Sequence, residues 1–174
     1  MVRRVGLLQA PVPAVARSGL NVDLVSHFST RPRIQAMVVI DIEYQGGLRT
    51  RATHGPSGAT LLTDAPVDNH GKGESFSPTD LVATALGTCI LTIMGIVAER
   101  HGWALEGARA SVEKKMRTDG ERRIGALEVV LTLPGSFDAR QRETLERAAL
   151  GCPVHRTLGD RVDMPVRFDW NGDG

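Results

Sequence analysis

The stretch SPTDLVATALGTCILTIMGIVAERH, residues 77–101, decides the fold. Ser77 stands in the N-cap position, Pro78 at the first helical position and Asp80 at the third, so the spacing predicts a helix opened by a capping box. From residue 81 to residue 98 there is no charged side chain, and apolar or small residues fall on every face. A helix of this kind belongs in a protein core or in a membrane. These eighteen positions are at the lower edge of a spanning length. Thr84, Gly87, Thr88, Thr92 and Gly95 dilute the apolarity, and no Lys/Arg cluster flanks the segment. The reading is therefore a buried helix of a soluble protein, with Gly87 and Gly95 as points where a neighbour packs closely. Cys89, one of two cysteines in the chain, lies at its middle.

The composition agrees with that reading. A chain of 174 residues suits one domain with a real core, and 24% charged residues is ordinary for a globular protein. A net charge of +1 gives no drive toward nucleic acid or an acidic membrane, and 4% aromatics leave little for base stacking. Two cysteines do not make a secreted disulfide framework, and no secretory apolar region precedes the domain. The expected compartment is the reducing cytoplasm, where a cysteine pair is more often catalytic, redox-active or metal-binding than a permanent staple.

Residues 1–33 read as an N-terminal extension apart from a domain at 34–174. They hold five Arg, Pro11, Pro13 and Pro32, a single acid (Asp23), and no sustained period. A transit peptide, a disordered extension, or a start upstream of a natural Met37 would each fit. From residue 37 the pattern becomes strand: Ile40, Ile42 and Tyr44 alternate with Asp41 and Glu43. A turn at Gln45-Gly46-Gly47, a second strand with Arg49, Arg51 and Thr53 on one face, and a third short strand after Gly58 make an antiparallel meander. The polar segment 64–76 delivers the chain to the helix cap. Beyond Gly102, a strand alternating at Ala108, Ala110, Val112 and Lys114 turns at Asp119-Gly120 into a return strand ending at Pro134. Asp138 caps a second helix, with Leu145, Ala148 and Ala149 inward and Gly151 as its stop. A last strand falls at 162–170. Strand groups separated by two helices, with no regular βαβ alternation, predict an α+β fold: antiparallel sheet packed on two core helices.

The cysteines carry the chemistry this sequence offers. Cys152 precedes Pro153, so a short helix there would have Cys152 as N-cap, an environment that favours a thiolate. Cys89, among Ala85, Leu86, Ile90 and Ile93, has no such help and needs a cation from elsewhere in the fold; Arg49 and Arg51 are the first candidates. Three readings stand at this point. The pair performs redox or nucleophilic chemistry, or both are inert core thiols, or Cys89, Cys152 and His155 hold zinc, which no Cys-x-x-Cys supports. His54 and His70 read as solvated loop residues that could reach a pocket, and Trp103 and Trp170 as packing residues.

SPTDLVATALGTCI, followed about sixty residues on by LERAALGCPVHRTL, resembles the OsmC/Ohr family of osmotically inducible and organic-hydroperoxide-resistance proteins. The likeness covers residues 37–170, and the loop DNHGKGESFSPTDL resembles its OsmC-like subgroup. The resemblance implies an intertwined homodimer with active sites at the interface, and a thiol peroxidase acting on small hydroperoxides without cofactor or metal. It implies Cys89 as the peroxidatic cysteine, Cys152 as the resolving one, and a dithiol as reductant. In the best-studied branches of the family a glutamate that pairs with a catalytic arginine directly follows the proline. Here that position is Thr79, and the acid comes one residue later as Asp80, which the capping box also claims. The alternative function is a non-catalytic or redox-sensing protein that holds a small apolar ligand on the same fold. No nucleic-acid or membrane partner is expected.

Overall fold

The structure, a computed structural model, describes residues 37–170, so the extension at 1–33 lies outside the described residues. β1 (Ile40–Gly46), β2 (Arg49–His54) and β3 (Thr60–Asp64) form the expected antiparallel meander in the order β1-β2-β3. Its first turn falls one residue later than the sequence suggested, because Gly46, Gly47 and Leu48 all adopt positive φ. Two glycines in a row let the chain reverse there, and Leu48 carries the strained position. The meander is amphipathic. Cross-strand register places Ile40, Ile42, Tyr44, Ala52 and Leu61 on one face and Asp41, Glu43, Arg49, Arg51 and Asp64 on the other. The apolar face is uncovered, with Ile40, Ile42 and Tyr44 each more than half exposed.

α1 (Pro78–His101) begins as the sequence requires. Ser77 Oγ accepts from Asp80 N–H, Asp80 accepts from Ser77 N–H at 2.7 Å, and Gly102 ends the helix in the left-handed region. By length and composition α1 could cross a membrane. Here Leu86, Ile90 and Met94 are completely enclosed against Leu127, Leu131 and Leu145. These come from β5 (Arg123–Leu133) and α2 (Ala139–Leu150). β4 (Arg109–Arg117) pairs antiparallel with β5, while β6 (Val166–Trp170) pairs with β5 in parallel. The second sheet is thus mixed, not wholly antiparallel. After α2 and α3 (Pro153–Leu158) the chain re-enters beside β5 from the same end. Gly87 is the close-packing point expected: a Cβ there would stand 3.0 Å from Val112 Cγ2 on β4. Gly95 is not, since nothing lies within 4 Å of its would-be Cβ among the described residues.

The segment joining β3 to α1 is tied down by charge. Asp64 is fully buried, accepts the Glu74 N–H at 2.9 Å and pairs with Arg49 at 3.4 Å, and Arg49 also pairs with Glu74. Asp68 pairs with Arg122 on the β4–β5 hairpin at 2.9 Å. Hydrogen bonding from Glu74 N–H is the main cause holding the Asp64 carboxyl below the usual range, with Arg49 adding to it against the effect of burial. For Asp80, burial works upward, but hydrogen bonds from Lys114 and Ser77 outweigh it and the group is also lowered.

Two expectations follow. A depressed carboxylate contributes stability that is present above its unfolded pKa and lost as pH falls through its folded one. The urea midpoint should therefore drop between roughly pH 5 and pH 2, and the drop should be shallower in Asp64→Asn. An unchanged pH slope in that variant would contradict the role given to Asp64. In Arg49→Ala, amide exchange of residues 72–76 should accelerate while the centre of α1 stays protected, a result readable by hydrogen-exchange mass spectrometry.

Candidate thiol site

Cys89 and Cys152 come from different helices. Cys89 lies on α1, half-buried, and Cys152 is fully buried at the start of α3. They approach because α1 packs against both α2 and α3, so that the short link after Leu150 turns Cys152 toward the middle of α1. Both are free thiols, and the two side chains interact directly. Cys152 is the N-cap of α3, as its position before Pro153 suggested, and its Sγ accepts from His155 N–H at 3.3 Å. Burial pushes the Cys152 thiol up, neighbouring Cys89 adds to the rise, and the His155 N–H works the other way. The expected assistance from the helix start is present but smaller than the cost of desolvation. As for zinc, the described residues contain no group of three or more His, Cys, Asp or Glu able to hold a metal ion.

The charged candidates lie elsewhere in the chain. Asp80 is nine positions before Cys89, about 180° around the helix and roughly 13 Å along it. Its partner is Lys114 of β4, at 2.5 Å, whose ammonium also donates to Thr79 Oγ1 at 2.8 Å. Lys114 is the cation that sequence reasoning missed. The signal was available, since the alternation Ala108, Ala110, Val112, Lys114 put a lysine on the inward face of β4, where it needs a polar or acidic partner. Lys72, the other lysine near the cap, is exposed, and its backbone N–H serves Asp64. Arg49 is engaged by Asp64 and Glu74. Arg51, on the same face of β2, is exposed and has no ion pair among the described residues. Within one chain, then, the two cysteines come together, Asp80 joins Lys114, and neither arginine meets Cys89.

Between α1 and β4 runs an open groove of about 900 Å³, walled by residues 73–76 and floored by Ala83, Gly87, Leu91, Ala110 and Val112, with Asp80 and Lys114 at one end. It lies on the opposite side of α1 from Cys89. The face of α1 between groove and thiol, Thr84, Ala85, Thr88, Thr92 and Ile96, is exposed. The three threonines donate to the carbonyls of Asp80, Thr84 and Thr88, so their hydroxyls are satisfied within the helix. His54 bonds Ser57 at 2.6 Å in an exposed turn, and His70 is exposed at positive φ. Trp103 and Trp170 pack edge-on against Phe137, as expected of packing residues.

Comparison with known proteins places this arrangement. A provisionally described osmotic stress induced and detoxification response protein of Psychrobacter arcticus is similar at 40% identity with a TM-score of 0.72, over 77% of this chain and 97% of that one. An organic hydroperoxide resistance protein OsmC of Legionella pneumophila shares the fold at 17% identity and a TM-score of 0.65, over 79% of this chain and 99% of that one. An OsmC-like protein of Mycoplasma pneumoniae does so at 14% identity and a TM-score of 0.67, over the same shares of the two chains. No match was found among curated proteins. The family model described as OsmC-like protein matches residues 71–167, from the strap before α1 through both cysteines to β6, and the chain belongs to that family.

Proposed function

We propose that this protein is a cysteine-based peroxidase that reduces small hydroperoxides and acts as a homodimer in a reducing cytoplasm. The observation that carries the reading is the direct approach of two free thiols, one half-buried and one fully buried, brought from separate helices onto the family's paired motifs. Family membership supports a peroxiredoxin-like role at the family level. In the cycle, the Cys89 thiolate attacks the terminal peroxide oxygen. The O–O bond breaks, the alcohol leaves, and Cys89 becomes a sulfenic acid. The Cys152 thiolate then attacks that sulfur, water leaves, and a Cys89–Cys152 disulfide forms. Two thiol equivalents from a reductant restore both cysteines. Burial of Cys152 suits a resolving residue, because a thiol shielded from solvent meets its partner sulfur in preference to bulk oxidant.

The dimer is supported by what one chain leaves uncovered. Ile40, Ile42 and Tyr44 on the meander and Ile96 on α1 present apolar surface that water covers poorly. A second copy seated there would bury well over about 2,000 Å² in total. It would also offer each Cys89 a cation that its own chain does not. Arg51 is the better candidate, since Arg49 is held by two carboxylates.

One equivalent of cumene hydroperoxide should consume both thiols of the wild type within seconds to minutes. In Cys152→Ser the same treatment should leave a Cys89 sulfenic acid that dimedone traps. Thiols that survive the peroxide would favour the alternative, a ligand-binding protein on this fold. Arg51→Ala should slow the reaction at least about tenfold, on the order of 1.4 kcal/mol, whereas Arg49→Ala should act on stability. Light scattering at micromolar concentration should give a dimer, and a folded monomer would overturn that part of the reading.

A further inference from the structure

The two sulfurs of the thiol pair are held in different surroundings, and that difference bears on how a disulfide between them is reopened. Cys152 is tied at three atoms. Its N–H donates to the Ala149 carbonyl at 3.2 Å, its carbonyl accepts from Arg156 N–H at 3.1 Å, and its Sγ accepts from His155 N–H at 3.3 Å. It is 0% exposed and belongs to the same enclosed core as Leu86, Leu145 and Ala149. The end of α2 and the start of α3 thus hold it inward, away from solvent. Cys89 is different. It is half-buried, and Ala85 and Thr92, its neighbours one turn to either side on α1, are exposed. A hydroperoxide has to reach Cys89, so an approach to that sulfur is already required before any disulfide forms.

We propose that the reductant attacks the sulfur of Cys89 and not that of Cys152, so that one approach serves both halves of the cycle. The inference rests on the thiol cycle proposed above and assigns its reductive step. One thiolate of a dithiol attacks Cys89 Sγ, and the Cys89–Cys152 bond breaks. Its electron pair leaves on Cys152, which then takes a proton; His155 N–H already faces that sulfur. The reductant's second thiolate attacks the reductant's own sulfur in the mixed disulfide. Cys89 leaves as a thiolate, ready for the next hydroperoxide, and the dithiol departs as a cyclic disulfide. Two electrons pass from the dithiol to the protein. The leaving group alone favours the other direction, because burial pushes the Cys152 thiol up and a thiol of higher pKa leaves more slowly. Access decides against it. Exchange needs contact between the reacting sulfurs, and a residue with no exposed surface offers none.

The test runs the exchange backward, without peroxide, since a reaction and its reverse pass through the same mixed disulfide. Reduced Cys152→Ser and Cys89→Ser proteins are mixed with bis(2-hydroxyethyl) disulfide, and uptake of the mercaptoethanol adduct is followed by intact-protein mass spectrometry. Serine is itself a good N-cap, so Cys152→Ser keeps the start of α3. Folded Cys152→Ser should take up the adduct at least about tenfold faster than folded Cys89→Ser. In urea, where burial is lost, the two rates should converge. Equal rates in the folded variants, a faster Cys89→Ser, or a difference that persists in urea would overturn the proposal. A folded Cys152→Ser protein that takes up no adduct would do the same. A wild type inert to hydroperoxide whose variants still differ as expected would defeat the peroxidase reading and leave the order of attack standing.

Discussion

The uncharged middle of α1 constrains everything else in this protein. A helix with no charged residue from position 81 to position 98 has no face suited to water, and its neighbours must cover it. One chain covers part of the surface. Leu86, Ile90 and Met94 are enclosed by β5 and α2, and Gly87 lets β4 approach. The stripe from Thr84 to Ile96 stays open, and Cys89 stands at its edge. The same apolarity that drives folding thus places the thiol at the boundary between a finished core and an unfinished surface.

Charge is kept at the ends and margins of this arrangement. Asp80 and Lys114 meet at the first turn of α1, where the acid both caps the helix and neutralises an inward lysine. Arg49, Asp64 and Glu74 brace the strap before it. Lys114 is largely buried, and a cation there without a partner would destabilise the fold, while the partly exposed Arg49 ties the strap to the buried Asp64. None brings a cation to Cys89 inside one chain. Two uncovered apolar surfaces and one thiol without a cation are the observations on which the proposed second copy rests.

Much of this was legible in the sequence because local rules sufficed. The Ser77-Pro78-Thr79-Asp80 cap, the Asp138 cap, the meander and the Cys152-Pro153 helix start are each specified by a few adjacent residues. What was not legible depended on distant parts of the chain. Parallel pairing of β6 follows from where α3 ends, not from any residue within the strand. The partner of Asp80 lies 34 positions away, on the strand that faces α1. Arg49 and Arg51 are equivalent in period, and only the burial of Asp64 separates the engaged arginine from the unengaged one. Gly151 reads as a helix stop, yet it ends α2 at an ordinary φ of −83°, and what its lack of a Cβ provides is room beside the Arg147 carbonyl.

The central claim is that Cys89 and Cys152 form one redox unit within the folded protein, and peptide mapping tests it most directly. The protein should be treated with one equivalent of hydroperoxide, digested without reduction and examined by mass spectrometry. The account predicts a single peptide pair joined through Cys89 and Cys152, at the expense of both free thiols. Cys89–Cys89 linkage alone, or a sulfonic acid on Cys89 with Cys152 still free, would contradict it.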